Sequence, residues 1–282
     1  MDNELHIVGI QTDLFWEDPT KNLAFFEEKI NSLPINTDIV VLPEMFTTGF
    51  TMNPEKNAEK IDGISVCWMQ KIAIKKKLAI TGSLVIEKNN KYYNMLIFAH
   101  PSGKIETYIK RHSFTFAGEN TVYTSGEEKL IITYKGWKIC PLICYDLRFP
   151  VWARNIENYD LLIFMANWPV KRIKAWELLL KARSIENMCY TIGVNRTGID
   201  ANKYSYSGNS LIIDYLGTEI SNLPKNEIGV VTSGTMSPSL NKAIGMAYID
   251  VKSEYSVLGQ EVLLLITLVF PIRFTLVIAE YW

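Results

Sequence analysis

Lys138-Ile139-Cys140-Pro141-Leu142-Ile143-Cys144-Tyr145-Asp146-Leu147-Arg148-Phe149-Pro150 begins as an uninterrupted apolar run and stops abruptly at a cysteine succeeded by polar residues. The run reads as a buried strand, and the polar residues after the cysteine read as the start of a helix. A strand that gives way to a helix through a sharp turn is the repeating unit of layered α/β proteins. A thiol at such a turn is exposed, and the backbone N–H groups and helix N-terminus beside it favour its thiolate. Cys144 therefore has the setting of a nucleophile. The same residue standing alone reads equally as a small buried hydrophobe, which is the better reading of Cys67, Cys140 and Cys189. Cys140 and Cys144 lack the spacings that zinc sites use, so no metal is expected.

Outward from this stretch, short apolar runs recur at 6–11, 38–42, 79–86, 93–99, 130–133, 161–166 and 190–195. Helical patterns lie at 20–32, capped by Asp18 or Thr20, at 64–77 and at 174–189. Glu87-Lys88-Asn89-Asn90 and Pro101-Ser102-Gly103-Lys104 are hairpin signals, so antiparallel strands accompany the α/β units. The 282 residues, 48% of them hydrophobic, can bury one large core, and residues 1–282 read as a single domain. Lysine plus arginine, 29, nearly cancel aspartate plus glutamate, 30, which argues against a nucleic-acid groove or an anionic membrane surface and for a small-molecule partner. The scattered cysteines and the acidic start Met1-Asp2-Asn3-Glu4, without a basic n-region, point to the cytoplasm. The apolar stretch 262–279 contains Pro271 and Arg273, whereas a membrane span needs roughly 20 mostly apolar residues. It reads as a pair of buried strands, an oligomer interface or an atypical C-terminus from a sequence irregularity before it reads as a membrane anchor.

Three further segments carry candidate chemistry. Leu42-Pro43-Glu44-Met45-Phe46 places a glutamate just beyond a strand, at the strand ends where α/β proteins bind ligands. Tyr108-Ile109-Lys110-Arg111-His112 sets a lysine among aromatic residues, where its charge can serve an oxyanion, while His112 reads as a hydrogen-bonded structural histidine. Ala166-Asn167-Trp168-Pro169 ends another strand, and Lys171, Arg172, Trp176, Arg183 and Glu186 come after it. Trp and Arg beside a crevice suit a carboxylate and its carbon chain, and Arg172 is the candidate to bind it bidentately, with Lys171 as the substitute. Against this, Trp176 can pack in the core and Arg183 can pair with Glu186. Neither a P-loop nor a dinucleotide fingerprint is present, and no cofactor is expected.

Taken in order, LPEMFTTGF around Glu44, YIKRHSFTFAGE around Lys110 and LICYDLRFPVWAR around Cys144 resemble the Glu–Lys–Cys set of the nitrilase (carbon–nitrogen hydrolase) superfamily. The block ANWPVKRIKAWELLLKARSIENMCYTIGVNRTG is similar to that family's fourth block, and the likeness runs from about 5 to about 225. FAGE, NWP and YSYSGNS look like the omega-amidase branch. The resemblance implies a four-layer α-β-β-α sandwich, pairing as homodimers, that hydrolyses 2-oxoglutaramate, succinamate and similar monoamides through a Cys thioester without metal or cofactor. It also implies Cys144 as nucleophile, Glu44 as general base, Lys110 and the Tyr145 N–H as oxyanion donors, and Glu119 as the second glutamate. Arg172, Trp168 and Phe116 are the expected substrate contacts. Alternatives with the same set are an N-carbamoyl amino acid hydrolase or a nitrilase, and a non-catalytic scaffold is a third. Ile109 and Ser113 depart from the residues commoner in the family, as does the region from about 228 to 282.

Overall fold

The computed structural model describes residues 5–220 in full and the backbone of 229–233, 236–237 and 242–243. The first half of the chain supplies β1 (Ile7–Gln11), α1 (Pro19–Asn31), β2 (Ile39–Val41), α2 (Pro54–Asn57), α3 (Ile64–Lys76), β3 (Ala79–Lys88), β4 (Lys91–Ala99), β5 (Ile105–Ile109) and α4 (Glu119–Val122). The second half supplies β6 (Ile132–Tyr134), β7 (Trp137–Ile143), α5 (Pro150–Ala153), β8 (Leu161–Ala166), α6 (Ile173–Asn187), β9 (Tyr190–Asn195), β10 (Thr197–Ile199), β11 (Ser205–Ser207), β12 (Leu211–Ile213) and β13 (Gly229–Ser233).

Two mixed sheets result. One has the order β13-β1-β2-β3-β4-β5 and the other β12-β9-β8-β7-β6. In each, three central strands run parallel, β1-β2-β3 and β7-β8-β9, and antiparallel strands close the edges. The β3–β4 hairpin follows from sequence: Asn89 and Asn90 take φ of 53° and 57°, the left-handed pair that a two-residue turn between Lys88 and Lys91 requires.

Side-chain alternation sorts the first sheet between two cores. Ile7, Ile39, Val41, Leu96 and Phe98 share a core with the second sheet, whereas Val8, Ile10, Val40, Leu42 and Ile80 share one with α1 and α3. The helices meet them with residues at helical spacing, Leu23, Phe26 and Ile30 from α1 and Val66, Met69 and Ile72 from α3. The outer face of the second sheet is covered by Trp176 and Leu180 of α6. A side chain at Gly193 on β9 would collide with both, and its neighbour Val194 faces the other way, 2.7 Å from where a Cβ on Gly9 of β1 would stand. Helix, sheet, sheet and helix thus stack in four layers, as the resemblance implies.

Asp18 caps α1 by accepting the Lys21 N–H, with Pro19 in the first turn, and the left-handed Lys77 and Met188 end α3 and α6. The helix expected directly after Cys144 is instead a five-residue 3₁₀ turn, Cys144–Arg148, and then the four-residue α5. Pro150 is the reason: it disfavours helical geometry at Phe149, which adopts φ −115° and ψ 88°, and starts a new helix after it. Strand β13 pairs antiparallel with β1, so the region after 228, unlike the family in sequence, begins with an edge strand of the first sheet. The apolar stretch 262–279 lies outside the described residues. Among the described residues no helix is long and apolar enough to cross a membrane.

Candidate active site

Glu44, Lys110, Cys144 and Asn167 each lie just past the end of a strand, β2, β5, β7 and β8 respectively, and converge at one edge of the sandwich. Glu44 is fully buried. Its Oε1 accepts from Lys110 Nζ at 2.8 Å and from Asn94 Nδ2 at 2.8 Å, while its Oε2 accepts the Asn167 backbone N–H at 3.0 Å. Asn167 also donates from Nδ2 to the Glu44 carbonyl at 2.6 Å, so Glu44 is gripped from both sheets. Lys110 Nζ reaches both oxygens of the buried Glu119 at 2.9 Å, and Asn94 Nδ2 bridges to Glu119 Oε1 at 3.1 Å. Glu119, at the start of α4, accepts the Phe114 N–H as well.

Two carboxylates and one ammonium are therefore enclosed together. Burial works against the Lys110 charge, but the Glu119 and Glu44 carboxylates overcome it and hold the lysine protonated well above its ordinary range. For Glu119 burial dominates and raises its pKa, with Lys110 opposing and Glu44 reinforcing.

Cys144 sits against this cluster. Its backbone has φ +43°, a left-handed conformation costing a non-glycine residue on the order of 1 kcal/mol or more. Asp146 holds the turn in place. Its Oδ2 accepts from Ile143 N at 3.1 Å and Tyr108 OH at 2.7 Å, and its Oδ1 accepts from His112 N at 2.9 Å and lies 2.8 Å from His112 Nδ1. One buried carboxylate thus ties the lysine segment to the cysteine segment. His112 is stacked on Phe149 with ring centroids 3.6 Å apart, in keeping with the structural role expected for it.

The thiolate setting expected at a helix N-terminus is not what Cys144 has. Burial first, and then the Glu44 charge with which the thiol hydrogen-bonds, push its pKa well above 9; Lys110 and the Asn167 N–H only partly offset them. The 3₁₀ turn is too short to supply a strong dipole, and the resting group is a thiol. Its ionisation thus depends on a base, and the adjacent carboxylate is Glu44.

Cys144 opens on a cavity of about 700 Å³. Tyr145, Trp168, Phe116 and Arg172, all singled out in the sequence, line it together with Trp16, Phe50, Phe114 and Tyr206. Trp168 is buried and Phe116 exposed. Trp168 is fixed through Asn195, which accepts its N–H at 2.7 Å and donates to its carbonyl at 2.9 Å. Trp176 and Arg183 do not reach the cavity: Trp176 is in the core, donating to Asn209 O, and Arg183 pairs with Glu186 at 2.8 Å and donates to Leu147 O. Asn94, Asn167, Asn195 and Arg148 are site residues to which the sequence alone assigns no role. Their signals are nonetheless present, since Asn94 and Asn195 are lone amides in apolar strands and Arg148 is the fourth residue after Cys144.

Comparison with known proteins gives the chain its relatives. An omega-amidase, YafV of Yersinia enterocolitica, is 43% identical over 217 residues, 76% of this chain and 82% of that one. The 2-oxoglutaramate amidase of Bacillus subtilis is 34% identical over 213 residues, 74% of this chain and 82% of the relative. The crystal structure of XC1258 from Xanthomonas campestris, a CN-hydrolase superfamily protein with an arsenic adduct in its active site, superposes with a TM-score of 0.79 at 40% identity, covering 82% of this chain and 89% of that one. Residues 7–240 match the carbon–nitrogen hydrolase family itself, and with the two-sheet sandwich this shows that the chain belongs to the carbon–nitrogen hydrolases.

Proposed function

We propose that this chain is an omega-amidase that hydrolyses the terminal carboxamide of small dicarboxylate monoamides, 2-oxoglutaramate and succinamate among them, to the acid and ammonia. One observation carries the reading: a cysteine on a strained turn opens on an arginine-bearing cavity and is backed by a sealed Glu44–Lys110–Glu119 cluster. The names of the relatives at 43% and 34% identity support the substrate class.

In the proposed reaction Glu44 takes the Cys144 proton as sulfur attacks the amide carbon, and the C=O π electrons move onto oxygen. The Lys110 ammonium and the Tyr145 N–H receive that oxyanion; as the second residue of the 3₁₀ turn, Tyr145 has no acceptor within the turn for its N–H. When the C–N bond breaks, Glu44 returns the proton to nitrogen and ammonia leaves an acyl thioester. Water, deprotonated by Glu44, attacks the thioester through a second oxyanion, the C–S bond breaks, and the thiol regains its proton. Glu119 keeps Lys110 charged and oriented. Arg172, Trp168 and Phe116 hold the substrate's far end.

The remaining expectations fit the same reading. A homodimer is supported by exposed apolar side chains on and beside α6, Leu178, Ile185, Met188 and Leu216. A reducing cytoplasm suits four free cysteines, and the pairing of the edge strand 229–233 with β1 supports a single domain as far as that strand.

Ammonia release measured side by side from 2-oxoglutaramate, succinamate, an N-carbamoyl amino acid and a simple nitrile tests the proposal. Release from the first two is expected. Release from the carbamoyl compound or the nitrile alone would keep the chemistry and overturn the substrate, and silence on all four would favour a non-catalytic scaffold.

A further inference from the structure

The cavity holds a second arginine that the reaction above does not use. Arg148 and Arg172 both line it, and among the described residues neither guanidinium is in an ion pair. The carboxylates that line the same cavity are already engaged. Glu17 accepts from Thr51 Oγ1 at 2.7 Å and Lys56 Nζ at 2.8 Å, and Asp200 accepts from Tyr206 OH at 2.7 Å and Tyr204 N at 2.9 Å. Two positive charges thus face the cavity without a carboxylate partner among the described residues.

They are also organised. Arg148 lies over the Trp168 ring, 5.3 Å from its centroid, and the Nε1 of the same indole donates to the Arg172 carbonyl at 2.8 Å. The Arg172 guanidinium in turn lies over Phe114 at 4.6 Å, and Phe114 packs edge-on against Tyr145. Stacking on an aromatic face leaves the planar edge of a guanidinium free to donate. One tryptophan therefore contacts both arginines, its face under one guanidinium and its edge on the other's backbone.

Position along the chain adds scale. Arg148 ends the 3₁₀ turn that Cys144 begins, and at a rise of about 2 Å per residue its Cα stands roughly 8 Å from the cysteine's. A four- or five-carbon monoamide whose amide carbon is at sulfur puts its other end within reach of that side chain.

We infer that Arg148 is a specificity-determining residue, the second arm of a clamp in which Arg148 and Arg172 together bind the carboxylate remote from the scissile amide. The inference rests on the amidase reading of the same cavity. A carboxylate offers two oxygens with about four acceptor positions, enough for both forks.

The test compares succinamate with succinamide, its neutral isostere, in wild type, Arg148→Gln, Arg148→Lys and Arg172→Gln. Wild type is expected to prefer succinamate. In Arg148→Gln the preference falls by roughly 10- to 100-fold, the range for loss of a hydrogen bond to a charged group, with the loss in KM rather than kcat. Arg172→Gln lowers it in the same way, and Arg148→Lys recovers part of what Arg148→Gln loses. Arg148 is exposed, so Gln there should fold normally. Calorimetric binding of succinate gives a readout independent of turnover, and Arg148→Gln should weaken it by a similar factor. An unchanged preference and unchanged succinate affinity in Arg148→Gln would overturn the clamp. If wild type hydrolyses neither amide yet binds succinate through Arg148, the clamp stands and the amidase reading falls.

Discussion

Cys144→Ala should release no measurable ammonia from 2-oxoglutaramate, a loss of at least about 10⁴-fold, while remaining folded. The cysteine supplies the only protein atom that becomes bonded to the acyl group in the proposed reaction, so nothing else in the site can substitute for it. The fold should tolerate the change because the left-handed turn is held from outside the residue, by Asp146 and its bonds to Ile143, Tyr108 and His112. A melting temperature within a few degrees of wild type, together with lost activity, is the expected pair of results. Full activity in this variant would remove Cys144 as nucleophile.

Lys110→Met should damage both turnover and stability. Loss of one oxyanion donor costs on the order of 10²- to 10³-fold in kcat. The thiol also loses the neighbouring positive charge that favours its ionised form. Stability suffers because Glu44 and Glu119, both buried, face each other without the ammonium that separates them. Breaking a buried pair from one side costs about 3–5 kcal/mol. The pH dependence has a definite sign. Burial and Glu44 already raise the Glu119 pKa with the lysine present, and its removal takes away the opposing influence. A carboxyl whose folded pKa is raised binds its proton more tightly in the native state, so native stability falls as pH rises through and above the unfolded value of about 4.5. The melting-temperature gap between wild type and Lys110→Met should therefore be wider at pH 8 than at pH 5. A gap that is absent or that widens on acidification would contradict the enclosed-charge account.

Most of the fold is legible in the sequence because its central strands are apolar throughout and end at recognisable breaks. The runs around Ile39, Ile163 and Ile192 are buried on both faces, and Pro43, Asn167 and Asn195 mark their carboxyl ends. The short strands β10 and β11 are not legible, since Thr197-Gly198-Ile199 and Ser205-Tyr206-Ser207 hold no apolar run. The turn after Cys144 reads as a helix start because Asp146 looks like an ordinary polar residue of a first turn. It is a buried carboxylate bonded to His112 and Tyr108, 34 and 38 residues away, contacts that no local pattern encodes. The reacting groups are readable one by one, each at a strand end. Their enclosure is not, because it depends on Asn94 and Asn167 reaching Glu44 from different sheets.

In the proposed reaction Cys144 carries the acyl group of an ω-amide. Acid-quenching the wild-type enzyme during turnover of 2-oxoglutaramate, with peptide mass mapping of the quenched protein, tests it most directly. An acyl adduct is expected on the peptide containing Cys144, formed with loss of ammonia and absent from Cys144→Ala. Steady ammonia release with that peptide never modified, or with the adduct on Cys67, Cys140 or Cys189 instead, would contradict it.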